Sequence, residues 1–247
     1  MKTQGSASRA RRLRGAIAAW FFALGSTAWG GQTLAARTPK DPTLDVFVND
    51  YAHVPGRTLE EAELMASRVL SIGGINTSWH QRGVDETDST VDPNAPKLDT
   101  ETRISLQIIP RAMAARWASG EDSLGFAILP GAGKAGTMAY IFYDRVEKLA
   151  STGDASASQV LGHVMAHEIG HLLLNTPGHS DVGIMQAYWQ AEQMQLLIKG
   201  WLLFTDGQTR QMRTGLLIRQ REVSLNANRC AWDHQAPTGR LSRYFAG

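Results

Sequence analysis

The sequence of 247 residues contains a single cysteine, Cys230, so it cannot form an internal disulfide. Its stability must therefore come from packing and from any metal that it binds. Long apolar runs are scarce as well, because the apolar stretch Ala16 to Leu24 is too short to span a bilayer comfortably. We find no internal repeat and no low-complexity tract. The chain is long enough for one domain with a sizeable core, but not for two large ones.

The first 36 residues carry five basic side chains and no acidic ones, which is typical of a signal peptide when an apolar segment follows. Small residues at Ala28 and Gly30 suit cleavage, which we place between about residues 28 and 36. The pair Arg11-Arg12 leaves twin-arginine export as an alternative, and an uncleaved anchor is another. We therefore predict an exported protein, periplasmic or extracellular, with no stable membrane association after cleavage.

Removing this segment changes the formal net charge from +2 to about −3, because 20 basic residues then face 23 acidic ones. The basicity of the full chain belongs to the predicted signal peptide. Nothing in the remaining charge favours nucleic acid or an acidic surface as a partner. The oligomeric state stays open.

One stretch predicts chemistry: His167-Glu168-Ile169-Gly170-His171. On a helix, His167 and His171 lie one turn apart on the same face, so both imidazoles can reach one zinc ion. Glu168 then stands beside them and can move a proton. The opposite face is predicted to pack in the core while the histidines line a cleft; it carries Leu161, Met165, Ile169, Leu172 and Leu173.

A catalytic zinc site usually has three protein ligands and an open position for water, so a third ligand is needed. We predict His179, because Asn175, Pro177 and Gly178 favour a sharp exit from the helix that returns the chain to the metal. His163 lies one turn before His167. A third histidine on the same straight helix would lie about 6 Å further along the axis, so a supporting or surface-lining role is favoured.

These residues resemble the metzincin superfamily of zinc endopeptidases, with matrixin-like members nearest: HExxH, a late His179-Ser180 and then Gly183-Ile184-Met185. The resemblance implies one catalytic Zn²⁺ and a Met-turn in which Met185 forms an apolar floor and is not a ligand. It also implies an α+β domain: a twisted mixed sheet of about five strands, a crossover helix, the zinc-binding helix and a C-terminal helix. Here the last histidine comes eight positions after His171, where six is usual. That spacing is similar to a bacterial group with a late third histidine.

The order of elements agrees with such a domain. Leu44 to Tyr51 is predicted as a strand, Thr58 and Glu61 as the capping box of a helix that ends at Gly73-Gly74, and Ile75 to His80 as a second strand. Residues 83 to 102 are predicted to form a loop. Its carboxylates could bind calcium, but they lack the spacing of an EF-hand, so a solvated loop is favoured. Ile104 to Ile109 is predicted as a third strand.

By resemblance, an antiparallel edge strand should line the cleft, where an extended peptide can bind through main-chain hydrogen bonds. We place it at Leu124 to Leu129, with Gly125, Phe126, Ala127 and Ile128 as the residues facing substrate; a buried strand is the alternative. Met138 to Tyr143 is predicted as a further strand. Thr205 and Gln208 are predicted to cap a C-terminal helix ending at about Glu222, and residues 226–247 to form a tail.

Residues 37–225 are thus predicted to form a catalytic domain that hydrolyses peptide bonds in a peptide or protein, with Glu168 as general base to a zinc-activated water. His167, His171 and His179 are the predicted metal ligands. Two alternatives remain. One is a catalytically silent zinc protein that binds or scaffolds, which a fourth protein ligand such as Asp181 would favour. The other is an amidase that acts on cell-wall peptides.

Overall fold

The computed structural model describes residues 42–82, 103–115, 123–131 and 135–234, with side chains described as far as residue 221. The predicted signal peptide and the predicted 83–102 loop, with its possible calcium ligands, lie outside these residues. So does the end of the predicted tail. The part of the chain that is described belongs to one structural unit.

The described strands form one five-stranded sheet in the order β2-β1-β3-β5-β4. Neighbouring strands are parallel except β4, which pairs antiparallel with β5 at the edge. This confirms the predicted α+β class, the mixed sheet and the antiparallel edge strand. The strands are β1 Thr43–Asp50, β2 Asn76–Arg82, β3 Arg103–Ile109, β4 Gly125–Ile128 and β5 Met138–Phe142.

Six helices are described: α1 Gly56–Ile72, α2 Arg111–Ala114, α3 Tyr143–Ser151, α4 Ala157–Leu174, α5 Ala191–Ile198 and α6 Asp206–His234. Helix α1 is the crossover between the parallel strands β1 and β2. Alternate β1 residues such as Leu44 and Val46 enter the core together with Ala62 and Ala66 of α1. Within the described residues, no helix combines the length and apolarity needed to cross a membrane.

The predicted capping box of α1 is wrong. The helix begins earlier, at Gly56, with Pro55 as its N-cap and no side-chain cap bond. Proline suits this position because it has no N–H to leave unpaired. Glu61 instead binds Arg57 at 2.9 Å and accepts a hydrogen bond of 3.0 Å from the hydroxyl of Ser158 on α4. Its carboxylate thus links two helices and does not cap its own.

Helix α4 begins with a capping box at Ser156. Ser156 accepts from the backbone N–H of Gln159 at 3.2 Å, and the Gln159 side chain accepts from the Ser156 N–H at 3.0 Å. The predicted amphipathic pattern is incomplete, however, because every residue from Val160 to Leu174 is buried. Helices α1 and α6 and strands β4 and β5 all contact α4. A helix enclosed on all sides leaves no solvent-facing stripe.

Helix α6 begins at the predicted cap, where Gln208 Oε1 accepts from the Thr205 N–H at 2.9 Å and Thr205 Oγ1 accepts from the Gln208 N–H at 3.3 Å. It runs to His234, well beyond the predicted end near Glu222, so the start of the predicted tail is helical. The buried Arg219 donates to the carbonyls of Leu172, in the last turn of α4, and Gly136. Helix α6 therefore holds the C-terminal end of α4, where helical carbonyls lack partners of their own.

Replacing Arg219 by Met should lower the free energy of unfolding by about 2–4 kcal/mol, because the carbonyls of Leu172 and Gly136 lose a charged donor in a buried place. Urea denaturation measures this loss. The exposed Arg210 on the same helix provides the control, and Arg210→Met should change stability by no more than about 0.5 kcal/mol. Equal stability of the two variants would show that Arg219 does not hold α4.

Candidate metal site

Three histidines come together at one end of the cleft. His167 and His171 lie one turn apart on α4 with their Nε2 atoms 3.1 Å apart. The ring of His179 is 5.4 Å from that of His167 and 4.9 Å from that of His171, between centroids. One ligand atom from each of the three lies within 4.8 Å of the others. The structure thus brings His179 to the two helical histidines.

The turn after α4 explains how the chain returns. Asn175 adopts the left-handed conformation with φ of 51°, which asparagine tolerates better than most residues, and this ends the helix. Thr176 Oγ1 then accepts from the Gly178 N–H at 3.1 Å. Beyond His179, the N–H of Ser180 donates to the carbonyl of Met185 at 2.9 Å. The chain on both sides of His179 is therefore held by hydrogen bonds, one to the Thr176 hydroxyl and one to the Met185 carbonyl.

Hydrogen bonds to backbone carbonyls orient the two helical imidazoles. His167 Nδ1–H donates to Ile184 O at 2.7 Å, and His171 Nδ1–H donates to Thr176 O at 2.8 Å. Since both Nδ1 atoms carry the proton, both Nε2 atoms are bare acceptors that cannot bond to each other across 3.1 Å. A cation between them removes this conflict. Outer hydrogen bonds of this kind are usual for metal-binding histidines.

The donor set fits one zinc ion. Tetrahedral zinc with bonds of about 2.05 Å spaces its ligand atoms by roughly 3.3 Å, close to the spacing of the two helical Nε2 atoms. His179 is exposed, and its ligand atom lies within 4.8 Å of those of the other two histidines. No aspartate, glutamate or cysteine of the described residues joins this group. Asp181, considered above as a fourth ligand, is not part of it.

Loss of solvent around the imidazoles favours their neutral form, most strongly for His167 and least for the exposed His179. It lowers the pKa of His167 to about 3, helped by the neighbouring His171, and it also lowers the pKa of His171 and of His179. A lowered histidine pKa means that the uncharged form predominates at neutral pH. Zinc binds neutral imidazole, so the ligands need to release few protons when the metal binds.

Glu168 lies beside this group with its carboxylate enclosed. Burial raises the pKa of Glu168 to about 8 in the metal-free protein, and its Oε2 atom has no hydrogen-bond partner within the described part of the chain. The carboxyl group is therefore largely protonated at neutral pH until a cation is near, since a positive charge favours the ionised form. A buried carboxyl without a fixed partner can accept or donate a proton.

Met185 is buried against α4 between the two helical ligands. A Cβ atom at Gly170 would lie 2.7 Å from Met185 Sδ and 2.7 Å from Phe204 Cε1, so only glycine allows this approach. Met185 thus packs against the helix that carries His167 and His171, and its role as a Met-turn residue stays a prediction. Its thioether contacts the helix backbone, and nothing requires it to bind metal.

The site opens into a cleft of about 930 Å³. Gly125, Phe126 and Ala127 of β4 line one wall, whereas Ile128 does not line it. Tyr188 and Trp189 line the cleft as well, together with Pro177 and His179 of the turn after α4. Strand β4 passes so close to Glu168 that a Cβ at Gly125 would lie 2.7 Å from Glu168 Oε1 and 2.5 Å from Tyr140 O. The edge strand therefore runs directly beside the carboxylate.

Sequence reasoning missed two features near the ligands. His163 does not line a surface: it is fully buried, and its Nδ1–H donates to Gln159 O at 2.8 Å. Trp189 was not singled out, although its ring lies 5.9 Å from that of His167. No local sequence pattern around Trp189 would have identified it. Tyr188, which also lines the cleft, is 67% exposed.

The sequence matches no protein-family model and no curated protein at a significant level. Among solved structures, it is similar to a zinc-dependent peptidase from Methanocorpusculum labreanum (15% identity, TM-score 0.44, 68% of this chain and 99% of that one). It is also similar to archaemetzincin from Methanopyrus kandleri (14%, 0.41, 72% and 98%) and to metalloproteinase-II from Bacteroides fragilis (15%, 0.38, 71% and 53%). The overlap is loose, and the roles given below to residues of this chain rest on its own geometry.

Replacing His163 by Leu should leave one zinc per chain, because His163 bonds within its own helix and its Nε2 atom has no hydrogen-bond partner among the described residues. The matched variant His171→Leu should lose the metal. Elemental analysis of the purified proteins measures the stoichiometry. Loss of zinc from the His163 variant while it remains folded would contradict the assignment of ligands.

Replacing Gly125 by Ala should lower the free energy of unfolding by about 1–3 kcal/mol, because the added methyl group must displace either β4 or the carboxylate of Glu168. Chemical denaturation of the metal-free protein measures this. Gly131, in the next turn, provides the control, since a Cβ there has no neighbour within 4 Å and Gly131→Ala should be neutral or slightly stabilising. An equally stable Gly125 variant would show that the close approach is absent.

Proposed function

We propose that this protein is an exported, metzincin-like zinc endopeptidase. One observation carries the proposal: three neutral imidazoles converge at an open cleft, beside a buried carboxyl group that has an unpartnered oxygen. A structural zinc site is closed by four protein ligands, whereas a catalytic one keeps a position for water or substrate. The structural neighbours are named as zinc peptidases, which agrees with this proposal, but the proposal does not rest on them.

His167, His171 and His179 would hold the zinc. When bound, zinc makes a water acidic enough to act as a nucleophile near neutral pH and polarises a carbonyl. Ile184 O and Thr176 O keep the rings of His167 and His171 turned so that Nε2 faces the metal. These two carbonyls therefore maintain the ligand geometry during turnover.

Glu168 acts as general base and then as general acid. Its carboxylate accepts the proton of the attacking water and delivers it to the leaving amine nitrogen, so the C–N bond breaks without a free amide anion. Burial favours both halves of this cycle, because a raised pKa brings the group closer to neutral pH. Gly125 leaves the space in which the carboxylate moves between the two positions.

Strand β4 would orient the substrate. Within the described residues β4 pairs with a strand on one side only, β5, and Gly125, Phe126 and Ala127 of β4 line the cleft. An extended peptide can add there as a further strand, which places a main-chain amide near the metal and Glu168 without demanding one side chain. This arrangement suits cleavage within a peptide chain.

A catalytically silent zinc protein is the rival hypothesis. A closed site with Asp181 as fourth ligand would have favoured it, but Asp181 lies outside the three-histidine group. A purely structural site also has no use for a carboxylate buried beside its ligands. Both observations favour the enzyme.

Replacing Glu168 by Gln should preserve zinc binding and reduce peptide hydrolysis at least 100-fold, because the amide cannot accept the proton. The parent and variant are compared on a casein-like protein panel and on cell-wall muropeptides, with zinc measured in both. Activity of the parent on muropeptides alone would move the substrate to cell-wall peptides. A Gln variant as active as the parent would remove Glu168 from the mechanism.

A further inference from the structure

We infer that Trp189 is a positioning residue of the metal site, which acts through the carbonyl of Ile184 on the ligand His167. The indole Nε1–H donates to Ile184 O at 3.2 Å, and His167 Nδ1–H donates to the same oxygen at 2.7 Å. One carbonyl therefore joins the tryptophan to a metal ligand. A carbonyl oxygen has two lone pairs, and here each has a donor.

Backbone groups on both sides of the Ile184 carbonyl form hydrogen bonds as well. The N–H of Ile184 donates to Leu203 O at 2.9 Å, and the following carbonyl, Met185 O, accepts from the Ser180 N–H at 2.9 Å. The segments that contain Ser180 and Leu203 thus both bond to the Ile184-Met185 dipeptide. A carbonyl that accepts one hydrogen bond can change its orientation by a small rotation of the peptide plane. A second hydrogen-bond donor restricts the orientation of the carbonyl and of its lone pairs. The indole supplies that second donor.

The indole is itself held in place by ring contacts. Its ring meets that of His167 edge-on at 5.9 Å and that of His163 edge-on at 6.4 Å. His163 is fully buried and its own Nδ1–H is occupied by Gln159 O, so it offers a fixed surface against which the indole packs. This contact gives the buried His163, which takes no part in the proposed chemistry, a structural role.

Trp189 also faces the cleft, since it is half-buried and lines the wall beside His167. A residue in that position contacts both the ligand and the space for substrate. Its neighbour Tyr188 lines the same wall but is mostly exposed, and no hydrogen bond of its hydroxyl is found in the described part of the chain. Only the tryptophan combines a place in the wall with a bond to the peptide that orients the ligand.

The inference rests on the zinc site of the proposed function but not on peptide hydrolysis, so it is tested by metal affinity. Trp189→Phe keeps an aromatic ring and removes the N–H donor. It should weaken zinc binding about tenfold, at the lower end of the range found when groups behind metal ligands are removed. Competition with a chromophoric chelator measures the dissociation constant, and Tyr188→Phe, which removes a hydroxyl from the same wall, should bind zinc like the parent.

Thermal unfolding of the metal-free proteins separates positioning from general damage. The metal-free Trp189→Phe protein should unfold within about 3 °C of the parent, while the increase in its melting temperature caused by zinc is reduced. A second measurement uses the parent chain labelled with ¹⁵N, in which the indole N–H signal missing from the Trp189→Phe spectrum should shift when zinc is added.

Zinc affinity within twofold of the parent, or an equal loss in the Tyr188 variant, would overturn the inference. So would an indole signal that zinc leaves unmoved. If the parent itself bound no zinc, the metal site and the proposed function would both be wrong. If Trp189→Phe weakened zinc binding but the parent cleaved no peptide, the positioning role would stand and the proposed peptidase activity would fall.

Discussion

Two backbone carbonyls, Ile184 O and Thr176 O, determine which nitrogen of each helical imidazole is free. Each accepts the Nδ1–H of a histidine on α4, so both Nε2 atoms face the same small space. That choice of tautomer would be lost in water, where either nitrogen can carry the proton. The two carbonyls belong to segments that follow α4 in the chain. The ligand geometry therefore depends on how the chain folds back after the helix.

Burial of α4 has opposite effects on its two kinds of titratable group. It favours the uncharged form of each, so it lowers the pKa of the histidines and raises that of Glu168. The same enclosure thus prepares neutral ligands and a carboxyl that keeps its proton while no cation is present. Helix α6 supports this arrangement by holding the last turn of α4 through Arg219. The ligands therefore lie on a helix that is enclosed on all sides, and not on a helix with one solvent-facing stripe.

Much of the layout was predictable because its signals are local. The strands of the sheet follow from short apolar runs, and the start of α6 follows from Thr205 and Gln208. Where two local signals compete, prediction failed. Thr58 has the spacing of a cap, but α1 begins at Gly56 with Pro55 as its N-cap, where proline has no N–H to leave unpaired. Burial was predicted for only one face of α4, because α6, which covers part of the helix, lies far along the chain from it.

By itself, the sequence determined that a helix would carry two histidines and a glutamate on one turn and that a bend starting at Asn175 and containing Pro177 and Gly178 would follow. It did so because helical spacing and turn preferences act between near neighbours. The tertiary structure decided what these residues meet: Gly125 against Glu168, Trp189 on the carbonyl of Ile184, and His163 enclosed behind the indole. Those contacts join segments that are distant in sequence, and only the packing of the whole domain brings them within bonding distance.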